Sequence, residues 1–317
     1  MKKILITRKL MPSSEEYASK VFEAKLNKKD ELFNSEKLIR ESSDCDGILS
    51  SITDIFNETI ILKLSSKIKI ISNFAVGFGN IDVKAAAKRN IVVTNTPDVL
   101  TDATAEIAIL VLLGAARRAK EGMEYARKQN WKWSADFLMG KQLTGANLGI
   151  LGMGRIGQAV ADRARSFGMK IHYFNRSRLN KDLEKDAIYH KSLQSLLSVS
   201  NFFSINCPAT KETKHIINDE TIKYFPDGAV ISNSARGDMI DDSAMVKALK
   251  NGKIFSLGLD VYNGEPNIHP GYLDLPNVFV LPHLGSSTIK TRIAMADLAI
   301  KNMEEFFKHG KCKNTVN

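Results

Sequence analysis

The stretch NLGILGMGRIG, residues 147–157, is the strongest indicator of the fold, because it joins an apolar strand to a glycine-rich turn and the start of a helix. Three of its four glycines, Gly152, Gly154 and Gly157, have Gly-x-Gly-x-x-Gly spacing. A helix is predicted over 156–167, and an apolar strand over 170–174 follows. The glycines of such a unit make the tight turn, admit a pyrophosphate close to the backbone, and let helix and strand pack closely. The pattern predicts a dinucleotide at the positive end of the helix. The alternative is a glycine-rich turn without a ligand.

The residues after the second strand bear on which dinucleotide is bound. Chains that bind NAD usually carry an acidic residue here for the ribose 2′-hydroxyl, whereas this chain has Asn175, Arg176, Ser177 and Arg178. Guanidinium and hydroxyl groups donate hydrogen bonds to a 2′-phosphate, whereas a carboxylate would repel it. We therefore expect NADP(H) to be preferred. NAD(H), bound through Asn175, stays open as the alternative.

The rest of the 317-residue chain alternates strand-like and helix-like segments, which is typical of an α/β protein with parallel sheets. Hydrophobic residues make up 44% and charged residues 25% of the chain, as in ordinary globular proteins. The length favours about two domains. The first hundred residues read as α/β without a glycine loop, and 286–307 reads as a final helix.

Several classes of protein and partner are disfavoured by composition. The longest apolar run, 107–116, is shorter than the roughly 20 residues that a membrane span needs, so no membrane partner is expected. Cys45, Cys207 and Cys312 form no metal-binding or disulfide pattern, so we expect no metal and a reducing, cytoplasmic setting. The net charge of +10 is scattered rather than gathered in a basic stripe, so no nucleic acid is expected.

Three chemically useful residues follow strand-like segments late in the chain: Arg236, Glu265 and His283. In an open parallel sheet the carboxyl ends of the strands lie on one edge, where ligands bind. Each residue alone is ordinarily a surface charge or a packing histidine. Their conjunction downstream of a dinucleotide loop predicts that they meet beside the cofactor.

The chain resembles the D-2-hydroxyacid dehydrogenase family over almost its full length. The resemblance lies in NFAVGFGNID (73–82), in NTPDVLTDATAE (95–106), in the glycine loop and in the three segments just described. Within the family it is most similar to glyoxylate/hydroxypyruvate reductases. The resemblance implies a homodimeric enzyme that reduces a small 2-oxo acid with NAD(P)H to a D-2-hydroxy acid. Short 3-phosphoglycerate dehydrogenases, and dinucleotide-sensing binding proteins on the same fold, remain alternatives.

The resemblance also implies a division of the chain and of the chemistry. Residues 1–98 and 286–317 would form the substrate domain and 99–285 the dinucleotide domain, both Rossmann-like or flavodoxin-like parallel sheets with a cleft between them. His283 would act as general acid, Glu265 would orient it, and Arg236 would bind the substrate.

The remaining expected contacts concern substrate and cofactor. The backbone of Val76 and Gly77, with Arg236 and His283, is expected to bind the substrate. The expected cofactor contacts are Thr104, Gly152, Gly154, Arg155, Ile156, Gly157, Asn175, Arg176, Ser177, Cys207, Pro208, Thr213, Ser234, Ala235, Asp260 and Gly285.

Overall fold

The chain forms two parallel sheets, each in its own structural unit, in a computed structural model that describes residues 1–317. Unit 1 comprises Met1–Leu100 and Ser286–Asn317, and unit 2 comprises Thr101–Gly285. Val99 and Leu100 belong to unit 1, because unit 2 begins with the helix that starts at Thr101. This architecture confirms the predicted α/β class with two parallel-sheet domains.

Unit 1 has a five-stranded sheet in the order β2-β1-β3-β4-β5, with every neighbouring pair parallel. Its strands are β1 (Lys3–Ile6), β2 (Glu23–Leu26), β3 (Gly47–Ser50), β4 (Ile70–Asn73) and β5 (Val92–Thr94). Its helices are α1 (Pro12–Val21), α2 (Ser35–Ser42), α3 (Glu58–Lys63), α4 (Val83–Lys88) and, from the end of the chain, α13 (Ile289–His309).

The sheet of unit 1 is buried on both faces, because successive strand residues point to opposite sides. Leu5 joins a cluster with residues of α2, α3 and α4, whereas Ile4 and Ile6 join a cluster with α1 and α13. Helices therefore cover both faces, as expected where the strands are near-continuous apolar runs.

Unit 2 has a seven-stranded sheet in the order β12-β11-β10-β9-β6-β7-β8, again all parallel. Its strands are β6 (Asn147–Leu151), β7 (Lys170–Phe174), β8 (Ile188–Tyr189), β9 (Phe202–Ile205), β10 (Ala229–Asn233), β11 (Ile254–Leu259) and β12 (Val278–Val280). Its helices are α5 (Thr101–Ala116), α6 (Ala119–Lys128), α7 (Arg155–Ser166), α8 (Lys181–Glu184), α9 (Leu193–Leu197), α10 (Asp219–Ile222), α11 (Asp242–Lys250) and α12 (Pro270–Leu273).

The order of strands in unit 2 reverses between β6 and β9, since β6 leads to β7 on one side while β9 begins the other half. Such a switch point is where open α/β sheets bind ligands. Helix α5 is buried against this sheet, and a Cβ atom on Gly258 would lie 2.1 Å from the Val111 carbonyl oxygen. No helix of the structure has both the length and the apolar character of a membrane span.

Candidate active site

The carboxyl edge of the unit 2 sheet collects most of the predicted site residues. Because all seven strands are parallel, each of the loops that follow them opens on this edge. These loops carry Gly152 after β6, Asn175 after β7, Cys207 after β9, Ser234 after β10, Asp260 after β11 and His283 after β12.

His283 and Glu265 form a hydrogen-bonded pair on this edge. The His283 Nδ1 atom lies 2.6 Å from Glu265 Oε2, and both side chains are about one-third exposed at 30% and 31%. The other carboxylate oxygen accepts the backbone N–H of Tyr262 at 3.0 Å. The carboxylate is therefore fixed from two sides, and it leaves the Nε2 atom of the imidazole to meet a ligand.

Opposing effects act on the pKa of Glu265. Burial raises the pKa of this carboxyl, but the hydrogen bond and charge of His283, the Tyr262 N–H and the Arg236 charge outweigh it. The net effect is a pKa below the ordinary glutamate value, so Glu265 is ionised at neutral pH. Burial lowers the pKa of the Arg236 guanidinium, while the charges of Glu265 and Asp238 act in the opposite direction.

The Arg236 loop is packed directly on the loop that carries Glu265. A Cβ atom on Gly237 would lie 1.9 Å from the Tyr262 carbonyl carbon, so only glycine permits this contact. Asn233 holds the loop from below: its Nδ2 donates to the Arg236 carbonyl at 2.7 Å, and its Oδ1 accepts the Ala235 N–H at 2.9 Å. The structure thus brings Arg236, Glu265 and His283 into one region of unit 2.

Asp260 is fully buried and holds the segment that follows His283. Its two carboxylate oxygens accept the backbone N–H groups of Leu284 at 2.7 Å and Gly285 at 2.8 Å. Burial raises the pKa of this carboxyl, and those two N–H groups oppose the rise. The sequence suggested a contact between Asp260 and the cofactor; the structure gives it a positioning contact that the sequence did not show.

The glycine loop has the local geometry that a dinucleotide requires. Gly152 has a φ of +93°, and a Cβ atom there would lie 2.6 Å from the Cys207 backbone nitrogen. A Cβ atom on Gly157 would lie 2.2 Å from the Gly152 carbonyl oxygen, whereas one on Gly154 would meet no atom within 4 Å. Gly154 therefore borders open space at the start of α7, where the first N–H groups of a helix lack intrahelical acceptors.

The segment after β7 is partly committed to contacts within the protein. Asn175 Oδ1 accepts the Met153 N–H of the glycine loop at 2.7 Å. Arg178 Nη2 lies 2.7 Å from Oε2 of Glu184, whose side chain is 6% exposed, so this guanidinium is neutralised. Arg176 and Ser177 are exposed. Of the two arginines in this segment, Arg176 is the one available to a phosphate.

The other predicted cofactor residues of unit 2 lie around the same edge. A Cβ atom on Gly285 would lie 3.5 Å from Thr104, a buried residue in the first turn of α5. Thr213 Oγ1 donates to the Pro208 carbonyl at 2.9 Å and so closes the loop after β9. Burial raises the pKa of the Cys207 thiol to about 11, so this cysteine is a neutral wall residue at physiological pH. Ser234 is buried and Ala235 is half-buried beside them.

In unit 1 the predicted substrate residues Val76 and Gly77 lie in a turn whose carbonyl groups all accept hydrogen bonds. The carbonyl oxygen of Ala75 accepts the Thr96 N–H at 2.9 Å. The carbonyl of Val76 accepts Asn95 Nδ2 at 2.8 Å, and that of Gly77 accepts Asn73 Nδ2 at 3.0 Å.

With all three carbonyls occupied, the N–H groups of Val76 and Gly77 donate to no acceptor in the chain. Both residues are half-buried. Successive free N–H groups of this kind make an anion-binding concavity. Asn73 and Asn95 were missed by the sequence analysis, although both stand at the ends of neighbouring strands.

Comparison with known proteins identifies the family. The family model described as D-isomer specific 2-hydroxyacid dehydrogenase, NAD binding domain, matches residues 109–285. The chain is 41% identical over 309 residues to glycerate dehydrogenase of Hyphomicrobium methylovorum, with 96% of each chain covered. It is 39% identical over 320 residues to glyoxylate reductase of Thermococcus litoralis, with 99% of this chain and 96% of the relative covered.

A solved structure agrees with these relatives. The NADPH-dependent glyoxylate/hydroxypyruvate reductase of Sinorhizobium meliloti, in complex with NADP and malonate, superposes with a TM-score of 0.89 at 32% identity and covers 99% of this chain and 96% of its own. The predicted resemblance is confirmed: the chain belongs to the D-isomer specific 2-hydroxyacid dehydrogenase family.

Proposed function

We propose that this protein reduces small 2-oxo acids of the glyoxylate and hydroxypyruvate type to 2-hydroxy acids of D configuration, using NADPH or NADH. The observation that carries the proposal is the His283–Glu265 pair, whose nitrogen and oxygen lie 2.6 Å apart beside the Arg236 loop. The relatives named above, a glyoxylate reductase and a glycerate dehydrogenase, support the same substrate class.

The dinucleotide would be held by the glycine loop and its neighbours. The open space at Gly154, the α7 N-terminus and the wall formed by Cys207 fit a pyrophosphate that needs close backbone approach. The dinucleotide supplies the hydride that reduces the substrate carbonyl. Asp260, by fixing Leu284 and Gly285, keeps the His283 segment in place along the same edge.

The proton of the reaction would come from His283. Reduction of a carbonyl places negative charge on its oxygen, which must gain a proton. In the protonated imidazole, Nδ1 donates to Glu265 and Nε2 holds the proton for that oxygen. The ionised Glu265 favours this orientation of the ring and stabilises its positive charge.

Substrate binding would be divided between charge and backbone. The planar Arg236 guanidinium offers paired donors to the carboxylate and carbonyl oxygens, a geometry that lysine lacks. The N–H groups of Val76 and Gly77 would bind the carboxylate. That neither group has an acceptor within the chain supports this role.

A preference for NADPH over NADH is part of the proposal. No carboxylate follows β7, and Arg176 remains exposed while Arg178 is neutralised by Glu184. Arg176→Ala should raise the KM for NADPH about 10-fold, the size of one charge-assisted hydrogen bond, and leave that for NADH within about twofold. Arg178→Ala is the matched control, and it should change the KM for NADPH and for NADH less than Arg176→Ala changes the KM for NADPH. Equal effects of Arg176→Ala on the two cofactors would contradict the preference.

We also propose a cytoplasmic homodimer. The segment from α6 onward exposes a group of large apolar side chains: Met123 at 51%, Trp131 at 52%, Trp133 at 81% and Met139 at 64%. Large apolar side chains exposed close together in one segment commonly mark an interface. The three unpaired cysteines suit a reducing compartment. Sedimentation equilibrium should give the mass of two chains, and a monomer would contradict the proposal.

The deciding experiment is an assay of NADPH and NADH oxidation across glyoxylate, hydroxypyruvate, pyruvate and 3-phosphohydroxypyruvate. We expect the highest kcat/KM with glyoxylate or hydroxypyruvate. Highest kcat/KM with 3-phosphohydroxypyruvate would favour a phosphoglycerate dehydrogenase. Tight binding of the dinucleotide without oxidation by any 2-oxo acid would favour a sensing protein and overturn the enzymatic proposal.

A further inference from the structure

Arg292 is a half-buried cation that no group of the protein neutralises. It lies in the first turn of α13, and its guanidinium carbon is 5.6 Å from the centre of the Phe74 ring. It makes no hydrogen bond or ion pair within the chain, and burial lowers the pKa of its guanidinium. The ring face attracts the cation, but it uses none of the five N–H donors.

Other arginines of the chain differ in this respect. Arg118 is paired with Glu121 at 2.6 Å, and Arg165 with Asp186 at 2.6 Å. Arg89, which has no acidic partner, donates to the carbonyl oxygens of Ile61, Leu62 and Leu64. Partial burial of an unpaired cation costs free energy unless an anion compensates it. The exception at Arg292 therefore calls for an anionic partner that is not part of the chain.

The position of Arg292 follows from the packing of α13 on β4. Ser72 Oγ, in β4, donates to the Ala299 carbonyl at 2.9 Å. Phe74, which follows the end of β4, contacts Arg292, seven residues earlier in the helix than Ala299. Helix and strand therefore run in opposite directions. The seven residues span about 10 Å of helix, so the α13 N-terminus reaches the carboxyl edge of the unit 1 sheet.

That edge is where the free N–H groups are found. Phe74 leads directly into the turn of Ala75, Val76 and Gly77, whose carbonyls are occupied and whose last two N–H groups are unused. The aromatic ring is thus flanked by the anion-binding turn on one side along the chain and by the guanidinium over its face. Unit 1 therefore has two sets of unused donors near the carboxyl edge of its sheet, one on each side of Phe74 along these contacts.

The chemistry of Arg292 favours a carboxylate as the second ligand group. A guanidinium pairs with a carboxylate through two parallel hydrogen bonds, and the charge restores the free energy lost on burial. A hydroxyl group would not neutralise it. The single positive charge of Arg292 matches the single negative charge of a carboxylate, whereas a phosphate monoester carries ~1.5 to 2 negative charges. Lys290, the nearest lysine along α13, is exposed.

We propose that Arg292 binds the second carboxylate of a short 2-oxo dicarboxylic acid whose first carboxylate is held by the Val76 and Gly77 N–H groups. The substrates of the enzyme would then include three- and four-carbon 2-oxo dicarboxylates. The inference rests on the proposed reduction of 2-oxo acids and extends it to a substrate class with a second negative charge.

The test compares substrates of matched length in wild-type protein and Arg292→Met, which keeps an unbranched apolar stem against Phe74. Oxaloacetate and 2-oxobutyrate have the same carbon chain, but only the first carries the second carboxylate. We expect the kcat/KM for oxaloacetate to fall about 10- to 100-fold in Arg292→Met, mainly through KM. The values for 2-oxobutyrate and glyoxylate should stay within about twofold.

Lys290→Met is the matched control, since it removes a charge from the same helical turn and should leave all three substrates unchanged. If Arg292→Met fails to fold, Arg292→Lys keeps the charge but loses the paired donors, and oxaloacetate should then lose about 3- to 10-fold. A second readout is inhibition of glyoxylate reduction by succinate against butyrate. Succinate should weaken in the Arg292 variants, and butyrate should not.

The outcomes separate this inference from the proposed function. Wild-type protein that reduces glyoxylate but not oxaloacetate, or an oxaloacetate activity that is unchanged in Arg292→Met, would overturn the role of Arg292 alone. Loss of oxaloacetate and 2-oxobutyrate activity in equal measure would show that Arg292 only supports the fold. Wild-type protein that reduces no 2-oxo acid would overturn both.

Discussion

The two units differ in the kind of chemical group that would form their proposed sites: side chains in unit 2 and backbone N–H groups in unit 1. In unit 2 the groups proposed to react are the side chains of Glu265 and His283, and the backbone N–H of Tyr262 fixes Glu265. In unit 1 the groups proposed to bind the ligand are the backbone N–H groups of Val76 and Gly77, and the side chains of Asn73 and Asn95 hold that turn through its carbonyl oxygens.

This difference predicts how each site responds to substitution. A side chain that reacts can be removed outright, so its loss should appear in turnover. A backbone N–H cannot be removed by ordinary substitution. The N–H groups of unit 1 can therefore be tested only by substituting the asparagine side chains that position them. Changes there should appear mainly in KM, because the N–H groups remain but are less well placed.

The largest effect is expected at His283. His283→Ala removes the proposed proton donor and should lower kcat about 100- to 10,000-fold, the range for loss of general acid catalysis. The dissociation constant for NADPH, measured by fluorescence titration, should stay within about twofold, since no contact of the imidazole with the glycine loop is present. Wild-type turnover in this variant would show that the His283 side chain is not the proton donor.

The sequence was sufficient for the parts of the site that depend on sheet topology. Parallel strands end on one edge, so residues at strand ends such as Arg236 and His283 were expected to meet, and the structure brings them together in unit 2. The glycine loop could also be predicted from the sequence, because strand, turn and helix follow each other within a few residues.

Contacts between a residue and a segment far from it along the chain could not be predicted from the sequence. Asp260 stands at a strand end, but nothing in its neighbourhood shows that both oxygens bind the backbone of a segment 24 residues later. The sequence places Arg178 beside Arg176 as a second candidate for a phosphate, but in the structure Arg178 is paired with Glu184. In each case a charged side chain finds a partner through packing rather than through spacing.

A smaller effect is expected at Asn95, and it tests whether the backbone N–H groups of Val76 and Gly77 bind the substrate. Asn95→Ala leaves the Val76 carbonyl without its donor, so the turn should relax and the KM for glyoxylate should rise about 5- to 20-fold with kcat less affected. Asn57→Ala is the control: it removes the side-chain cap of α3 and should cost about 1 kcal/mol of stability without changing KM. A fall in kcat alone for Asn95→Ala would contradict the positioning role.

The smallest effect is expected in the stability of the His283–Glu265 pair. The pKa of Glu265 is lowered in the folded protein, so the pair stabilises the fold above the unfolded glutamate pKa of about 4.3. That contribution is lost as the pH falls through the lower, folded pKa. Glu265→Gln should therefore reduce the free energy of unfolding by about 1 kcal/mol at neutral pH, and the difference from wild type should narrow below about pH 4. Urea unfolding between neutral and acid pH measures it. A difference that widens with falling pH would mean that Glu265 is held neutral rather than ionised, and the side-chain site would then lack its fixed negative charge.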